Sequence, residues 1–438
     1  SSVRRKYLGE LAGATAFLTL AAVIGKPITF GREVTVAHTF GANEVVDFVI
    51  ITQFIPVLFA GLISGGAALS LPALSREASG EEGQIDLSVA RAYTNRILFY
   101  EAIGLVVTII LLGPFLALNG PVSFPIAFLI MLCLSAQAWC DSATAMYAQV
   151  LRLDGYFGRA ALQFALNGAL SALLIVILGP ALGIAAWPLA MFVDSLWQTL
   201  FLRSAMRAIP PPAEIAISVR HVLVAFGPAL ALFGLTMIYG LTDRLAGIAA
   251  TAGTLALWTW ALQVGNSATG MVATPVATVV FSRSHARGDA EPALYGRALS
   301  IAVGMSLAVA VVYFLIGPTL VNLVFGGSRI SPSGMRHLVE LIRFAVLAAI
   351  PLAVFTVTSR ACAARGAFKV SISSFAIGGV LYPILVLAMF PRVGYLSLGI
   401  GYLIAATITA VLSLRATMRR GWLVLPSFSR LRGLRQAA

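Results

Sequence analysis

The basic residues of this chain collect almost wholly in alternate gaps between long apolar stretches, a constraint that a chain threading a bilayer obeys and a soluble one does not. A membrane helix needs about 20 mostly apolar residues. Twelve such stretches stand at 9–30, 44–72, 94–117, 122–148, 158–179, 181–203, 220–242, 250–280, 297–325, 338–360, 370–390 and 394–415. With the amino terminus placed in the cytoplasm, 30 Lys and Arg residues divide unevenly. All fall on the inner side except Lys26, Arg32, Arg244, Arg329, Arg336, Arg343 and Arg392. A miscounted span would scramble that alternation from the error onward, and none is scrambled. The expectation is an all-α polytopic membrane protein of about twelve helices, multi-pass, with both termini cytoplasmic.

Composition agrees. A mean hydropathy of +0.93 with 59% hydrophobic and 11% charged residues excludes an ordinary soluble domain. The net charge of +13 follows the inner loops, as anionic headgroups favour, so nucleic acid is not the expected partner and membrane lipids are. Cys133, Cys140 and Cys362 lie scattered in apolar helix, which predicts small buried hydrophobes rather than a disulfide framework or zinc site. The chain opens with a basic stretch and a full-length first span, so no cleavable signal peptide is expected.

The two halves repeat weakly. Arg32 stands nine residues before Gly41, and Arg244 nine before Gly253. Leu74-Ser75-Arg76 closes the second span and Phe281-Ser282-Arg283 the eighth, each running into a polar loop. The fifth span opens at Phe157 and reaches Asn167-Gly168; the eleventh opens at Phe368 and reaches Gly378-Gly379. These matches keep order at nearly constant offset. Six spans per half return the chain to one side, so the copies share an orientation and suggest two six-helix lobes around a central cavity. The expected organisation is a lobe at 1–208, a Pro-rich linker at 209–217, a lobe at 218–415 and a basic cytoplasmic tail at 416–438.

Ionisable groups inside spans are costly and usually face a bundle interior or a cavity. Lys26 precedes Pro27 near the outer end of span 1, where a kink or an end of the helix is expected. Arg32 and Glu33 follow, and Asp47 enters span 2; the bland alternatives are a snorkelling Lys26 and an Arg32–Glu33 loop ion pair. Asp243 and Arg244 are the counterparts in the second half. Asp141 and Asp194, in spans 4 and 6, are read first as helix–helix hydrogen-bonding groups and second as sites of ion coupling. Arg96 and Glu101 are assigned to the inner end of span 3, and Glu340 and Arg343 are spaced to pair on one helix face. His38, His221, His285 and His337 are isolated, and no HExxH or phosphate-cradling GxxxxGK[ST] occurs. No catalytic constellation, metal site or cofactor is expected, although an intramembrane enzyme acting on lipid could assemble from distant helices.

The stretch TFGREVTVAHTFGANEVVDFV resembles the multidrug/oligosaccharidyl-lipid/polysaccharide (MOP) exporter superfamily, and within it the branch of lipid II flippases, also called the mouse virulence factor family. Lys26 falls where the first Arg of that branch's helix-1 pattern stands, and Phe30, Arg32 and Glu33 match its F, R and D. Phe40-Gly41-Ala42 matches F-G-A, with Asp47-Phe48 in place. Asp243-Arg244-Leu245-Ala246 is similar to the helix-7 segment of polysaccharide exporters. The chain departs in having twelve rather than fourteen expected spans, in Ala60 and Gly61 where that branch carries paired Arg, and in an uncharged Trp258–Gln263 segment. The resemblance implies a bacterial inner-membrane exporter of a polyprenyl-diphosphate-linked saccharide, with Lys26, Arg32, Asp47, Asp243 and Arg244 as substrate-binding candidates. A cation offers the natural partner for a diphosphate head, while the lipid tail can stay in the bilayer. A sodium- or proton-coupled drug antiporter using Asp141 and Asp194 is the alternative, and a scaffold among cell-envelope biosynthesis partners a third.

Overall fold

The computed structural model describes residues 2–79, 86–154, 156–213, 219–287 and 291–425, and among these it is helical throughout, with no strand. The helices are α1 (Ser2–Phe40), α2 (Glu44–Ser79), α3 (Leu87–Asn119), α4 (Phe124–Leu153), α5 (Phe157–Leu166), α6 (Ala169–Leu182) and α7 (Ala186–Ala205). They continue as α8 (Val219–Ala249), α9 (Thr254–Arg287), α10 (Pro292–Phe325), α11 (Pro332–Ala363), α12 (Phe368–Val393) and α13 (Leu396–Arg419). Eight described segments are each long and apolar enough to cross a bilayer. Parts of the expected linker, of the loops after the second and eighth spans, and the tail from 426 onward lie outside the described residues.

Side chains point outward in the way a lipid-facing helix requires. α3 leaves Ile110, Leu111, Phe115 and Leu118 exposed, and α10 does the same with Leu315 and Leu323. In water such surfaces would be costly; against acyl chains they are not.

The chain forms two compact units. One comprises residues 1–257 with 324–335; the other comprises 258–323 with 336–438. Within the first, α2 packs on α3, α4 and α8, α1 packs on α5 and α6, and α7 packs on α4 and α6. Its core gathers Leu71, Tyr93, Ile97, Met146, Leu151 and Leu202. Within the second, α12 packs on α13, and Tyr295, Leu299, Val357 and Leu423 belong to a cluster lined by small residues of α9, α10 and α11. Cys133, Cys140 and Cys362 are all buried free thiols.

Local chemistry explains the turns. Gly41 ends α1 at φ +80, a conformation that favours glycine. An added Cβ there would also stand 2.6 Å from the Arg329 carbonyl oxygen. Asn43 then caps α2, its Oδ1 accepting the N–H groups of Val45 and Val46 at 3.0 and 3.1 Å, as an N-cap should. The Phe40-Gly41-Ala42 motif is thus a helix–turn–helix corner. Gly253 repeats the device before α9, at φ +86, with its would-be Cβ 2.5 Å from the Ala42 carbonyl oxygen. Asp86 caps α3 through the N–H groups of Ser88 and Val89, and the Ser88 hydroxyl together with these bonds holds its carboxyl below the usual carboxylate range.

Two expectations change. Pro27 does not end the first helix, which runs on to Phe40. The fifth span is not one helix: it breaks at Gly168, φ +93, into α5 and α6.

Candidate functional site

The ionisable residues singled out in the sequence as site candidates all belong to the first unit, and their roles there diverge. Lys26 is half-buried on α1 and has no hydrogen-bond or ion-pair partner among the described residues. One residue on, Pro27 lacks an N–H, so the carbonyl four residues earlier loses its helical donor. Thr29 closes the next turn, donating its hydroxyl to the Gly25 carbonyl at 3.0 Å and to the Asn167 carbonyl at 3.1 Å. Through that second bond α1 meets the break between α5 and α6. A Cβ on Gly168 would lie 3.0 Å from the Thr29 Cα, so only glycine allows this approach.

Arg32 is engaged by its neighbour. Its Nε and one terminal nitrogen both donate to Glu33 Oε1, at 3.1 and 2.7 Å, and the pair is largely shielded from solvent. Arg32 also lies within electrostatic reach of Asp194 and Asp141.

Those two acids anchor a buried polar network. Asp141 on α4 accepts the Ser195 hydroxyl at 2.6 Å and the Gln137 amide at 2.9 Å. Asp194 on α7 uses Oδ2 to accept the Gly168 N–H at 2.9 Å and the Ser171 hydroxyl at 3.2 Å. Breaking a helix frees backbone donors that must find acceptors inside a bilayer; Asp194 supplies one. Its Oδ1 is buried with no hydrogen-bond partner among the described residues. Gln163 donates to Gln198, and Thr199 bonds Thr144 at 3.0 Å and the Cys140 carbonyl at 2.9 Å. The network therefore joins α4, α5, α6 and α7, with Arg32 of α1 beside it.

Glu101 extends it. The sequence assigns this residue to the inner end of span 3, but the structure buries it to 3% exposure. Its Oε1 accepts the Ser142 hydroxyl at 2.6 Å, its Oε2 is buried without a partner among the described residues, and it feels the charge of Asp141. A lone Glu one helical turn beyond Ile97 and Leu98 was the available signal. Among the described residues, no three His, Cys, Asp or Glu side chains converge to hold a metal.

Asp47 does something the sequence could not show. Its carboxylate accepts the Gly253 N–H at 2.7 Å and the Ala256 N–H at 2.8 Å, capping the first turn of α9 from α2. Both N–H groups belong to the orphan set at a helix start. Asp243 is buried on α8. Its neighbour Arg244 donates to the Gly240 carbonyl at 2.9 Å and lies 4.4 Å over the Phe54 ring, while its Nε is buried with no hydrogen-bond partner among the described residues. Glu340 does not pair with Arg343; it accepts a hydrogen bond from the Tyr395 hydroxyl.

A many-helix membrane protein with a broken span and buried carboxylates in its core has the build of a secondary transporter. The chain belongs to the lipid II flippase MurJ family, whose model matches residues 36–431. Among solved structures, a lipid II flippase MurJ in an inward closed conformation superposes with a TM-score of 0.75 at 15% identity, over 92% of this chain and 88% of that one. An inward-facing multidrug resistance MATE family transporter of the MOP superfamily gives 0.69 at 17%, over 91% and 94%. A MOP superfamily transporter from Pyrococcus furiosus, whose binding pocket is described as of reverse polarity, gives 0.65 at 19%, over 93% and 95%. No curated protein sequence matches.

Proposed function

We propose that this chain moves a polyprenyl-diphosphate-linked saccharide across the bacterial inner membrane by alternating access, with the lobes at 1–208 and 218–415 as the rocking bodies. Membership of the lipid II flippase family supports the substrate class. The observation that carries the site is Lys26, a half-buried cation on α1, the helix of the expected first span, with no ion-pair partner among the described residues. Such a group is costly to keep in a bilayer unless something anionic comes to it, and a diphosphate head is that partner. Arg244 adds a buried Nε with no hydrogen-bond partner among the described residues. Arg32, committed to Glu33, joins the site by exchanging that partner for substrate. Asp47 and Asp243 serve by holding the frame around these cations.

Identification of the lipid that co-purifies with the protein tests this reading. A polyprenyl diphosphate bearing a saccharide is expected, and its absence together with cation-dependent drug efflux would overturn it.

One observation favours a coupled cation as well: Asp194 keeps an oxygen buried and unused beside Asp141. A proton or a sodium ion there would neutralise part of an acid-rich core. Asp194→Asn should then remove sodium or proton dependence of transport, whereas a wholly structural Asp194 would leave that dependence intact and lower protein yield. Both termini lie in the cytoplasm in this scheme, with cell-envelope biosynthesis enzymes as the sources of substrate.

A further inference from the structure

At the end of the first unit where α3 and α5 begin and α7 stops, a cavity of about 420 Å3 is lined by Arg91, Leu200, Arg203, Ser204 and Arg207. No acidic residue is among those lining it. Arg91 is held in place by the Ile209 and Pro210 carbonyls, at 2.9 and 3.1 Å from one terminal nitrogen. Its remaining N–H groups, and those of Arg203 and Arg207, have no hydrogen-bond partner among the described residues. Arg159 reaches the same corner, donating to Ser204 Oγ at 3.2 Å and standing 5.9 Å over the Phe201 ring.

The cations sit above an apolar wall. Leu200 is 53% exposed, and Trp197, 39% exposed, stacks on Phe201 at 5.6 Å one turn before the arginines. On α7, residues 200, 203 and 204 share one face, and Arg207 follows in the 3-10 turn just past the helix end and lines the same cavity, so the surface passes from lipid-facing to cationic within two turns. A soluble anion would meet only the upper part of that surface. A molecule with a phosphate joined to acyl chains would cover both. Basic pockets between helices at the membrane surface suit phospholipid heads for this reason.

We propose that this pocket holds the phosphate of an anionic phospholipid from the adjoining leaflet, with Arg91, Arg203 and Arg207 on the phosphate and the chains lying along Leu200 and Trp197. The lipid is a resident of the first unit, distinct from the transported substrate.

Native mass spectrometry of the full chain in detergent, titrated with phosphatidylglycerol or phosphatidylcholine of matched chains, tests it. Wild type should prefer phosphatidylglycerol. The double variant Arg203→Ala, Arg207→Ala should lose that preference, binding phosphatidylglycerol roughly tenfold more weakly or worse, since each basic residue near an anionic head contributes ~1 kcal/mol. Both arginines are exposed, so folding should survive their loss. The charge-keeping double variant Arg203→Lys, Arg207→Lys should retain most of the binding. Equal binding by wild type and the alanine double variant would overturn the proposal. So would displacement of the lipid by an equal concentration of glycerol phosphate, which assigns the pocket to a soluble anion. Displacement by stoichiometric polyprenyl diphosphate would overturn it too, by assigning the pocket to the substrate.

Discussion

The fifth span of the first half and its counterpart in the second start alike and end differently. α5 opens at Phe157 and α12 at Phe368, the residues the repeat aligns. Both halves also carry a buried hydroxyl bridge between residues 55 apart, Thr144 with Thr199 at 3.0 Å and Thr358 with Ser413 at 2.8 Å. Around the first bridge stand Asp141 and Asp194. At the same steps from the second bridge stand Phe355 and Ile408. The fifth span breaks at Gly168, and Asp194 accepts the freed N–H; α12 runs unbroken through Gly378 and Gly379. The two regions thus share a hydroxyl bridge at the same spacing, and a single acceptor on the facing helix accompanies the broken form. In a bilayer, where no water can satisfy a freed backbone donor, a break without such an acceptor would not persist.

The largest expected effect comes from giving the first half the second half's residue. Asp194→Ile should leave the Gly168 N–H buried without an acceptor, while the Ser171 hydroxyl keeps the Gly168 carbonyl, costing about 3 kcal/mol, read as a lower apparent Tm in detergent. Asp194→Asn, which still offers an acceptor, should cost about 1 kcal/mol. An unchanged Tm for Asp194→Ile would break the comparison. Next comes Gly168→Ala, at roughly 2 kcal/mol, because it places a Cβ in a left-handed conformation against α1. Limited proteolysis of the variant should cut faster near residue 168. The smallest effects sharpen the shared part: Thr199→Val and Ser413→Ala should each cost about 0.6 kcal/mol, the usual worth of a hydrogen bond between membrane helices. A large difference between them, measured by the same thermal scans, would mean that the two bridges are not equivalent.

Much of this is legible in the sequence. Gly41 and Gly253 match across the halves, and both are positive-φ corners. The helical membrane fold and the adjacency of Arg32 and Glu33 are also readable, because each rests on local composition or short spacing, and the family is readable only through the resemblance of the motif around Arg32 and Gly41. The break at Gly168 is not. A single Gly in an apolar run is tolerated in membrane helices, and what makes this one a break is a carboxylate 26 residues later. Asp47 hides its role for the same reason, since the helix it caps begins far along the chain. Glu101 looks like an interfacial charge because its partner, Ser142, lies on another helix. Long-range partners, rather than residue types, are the missing information.

Everything proposed for transport turns on Lys26 waiting for an anionic head group. Translocation of a lipid-linked saccharide should be measured in liposomes containing wild type, Lys26→Ala and Lys26→Arg at matched incorporation. Loss of transport in Lys26→Ala, with an unchanged apparent Tm and most activity kept in Lys26→Arg, is the expected result, since charge persists and Arg grips phosphate with paired donors. Equal rates for wild type and Lys26→Ala would contradict the account and leave a snorkelling lysine in place of a substrate contact.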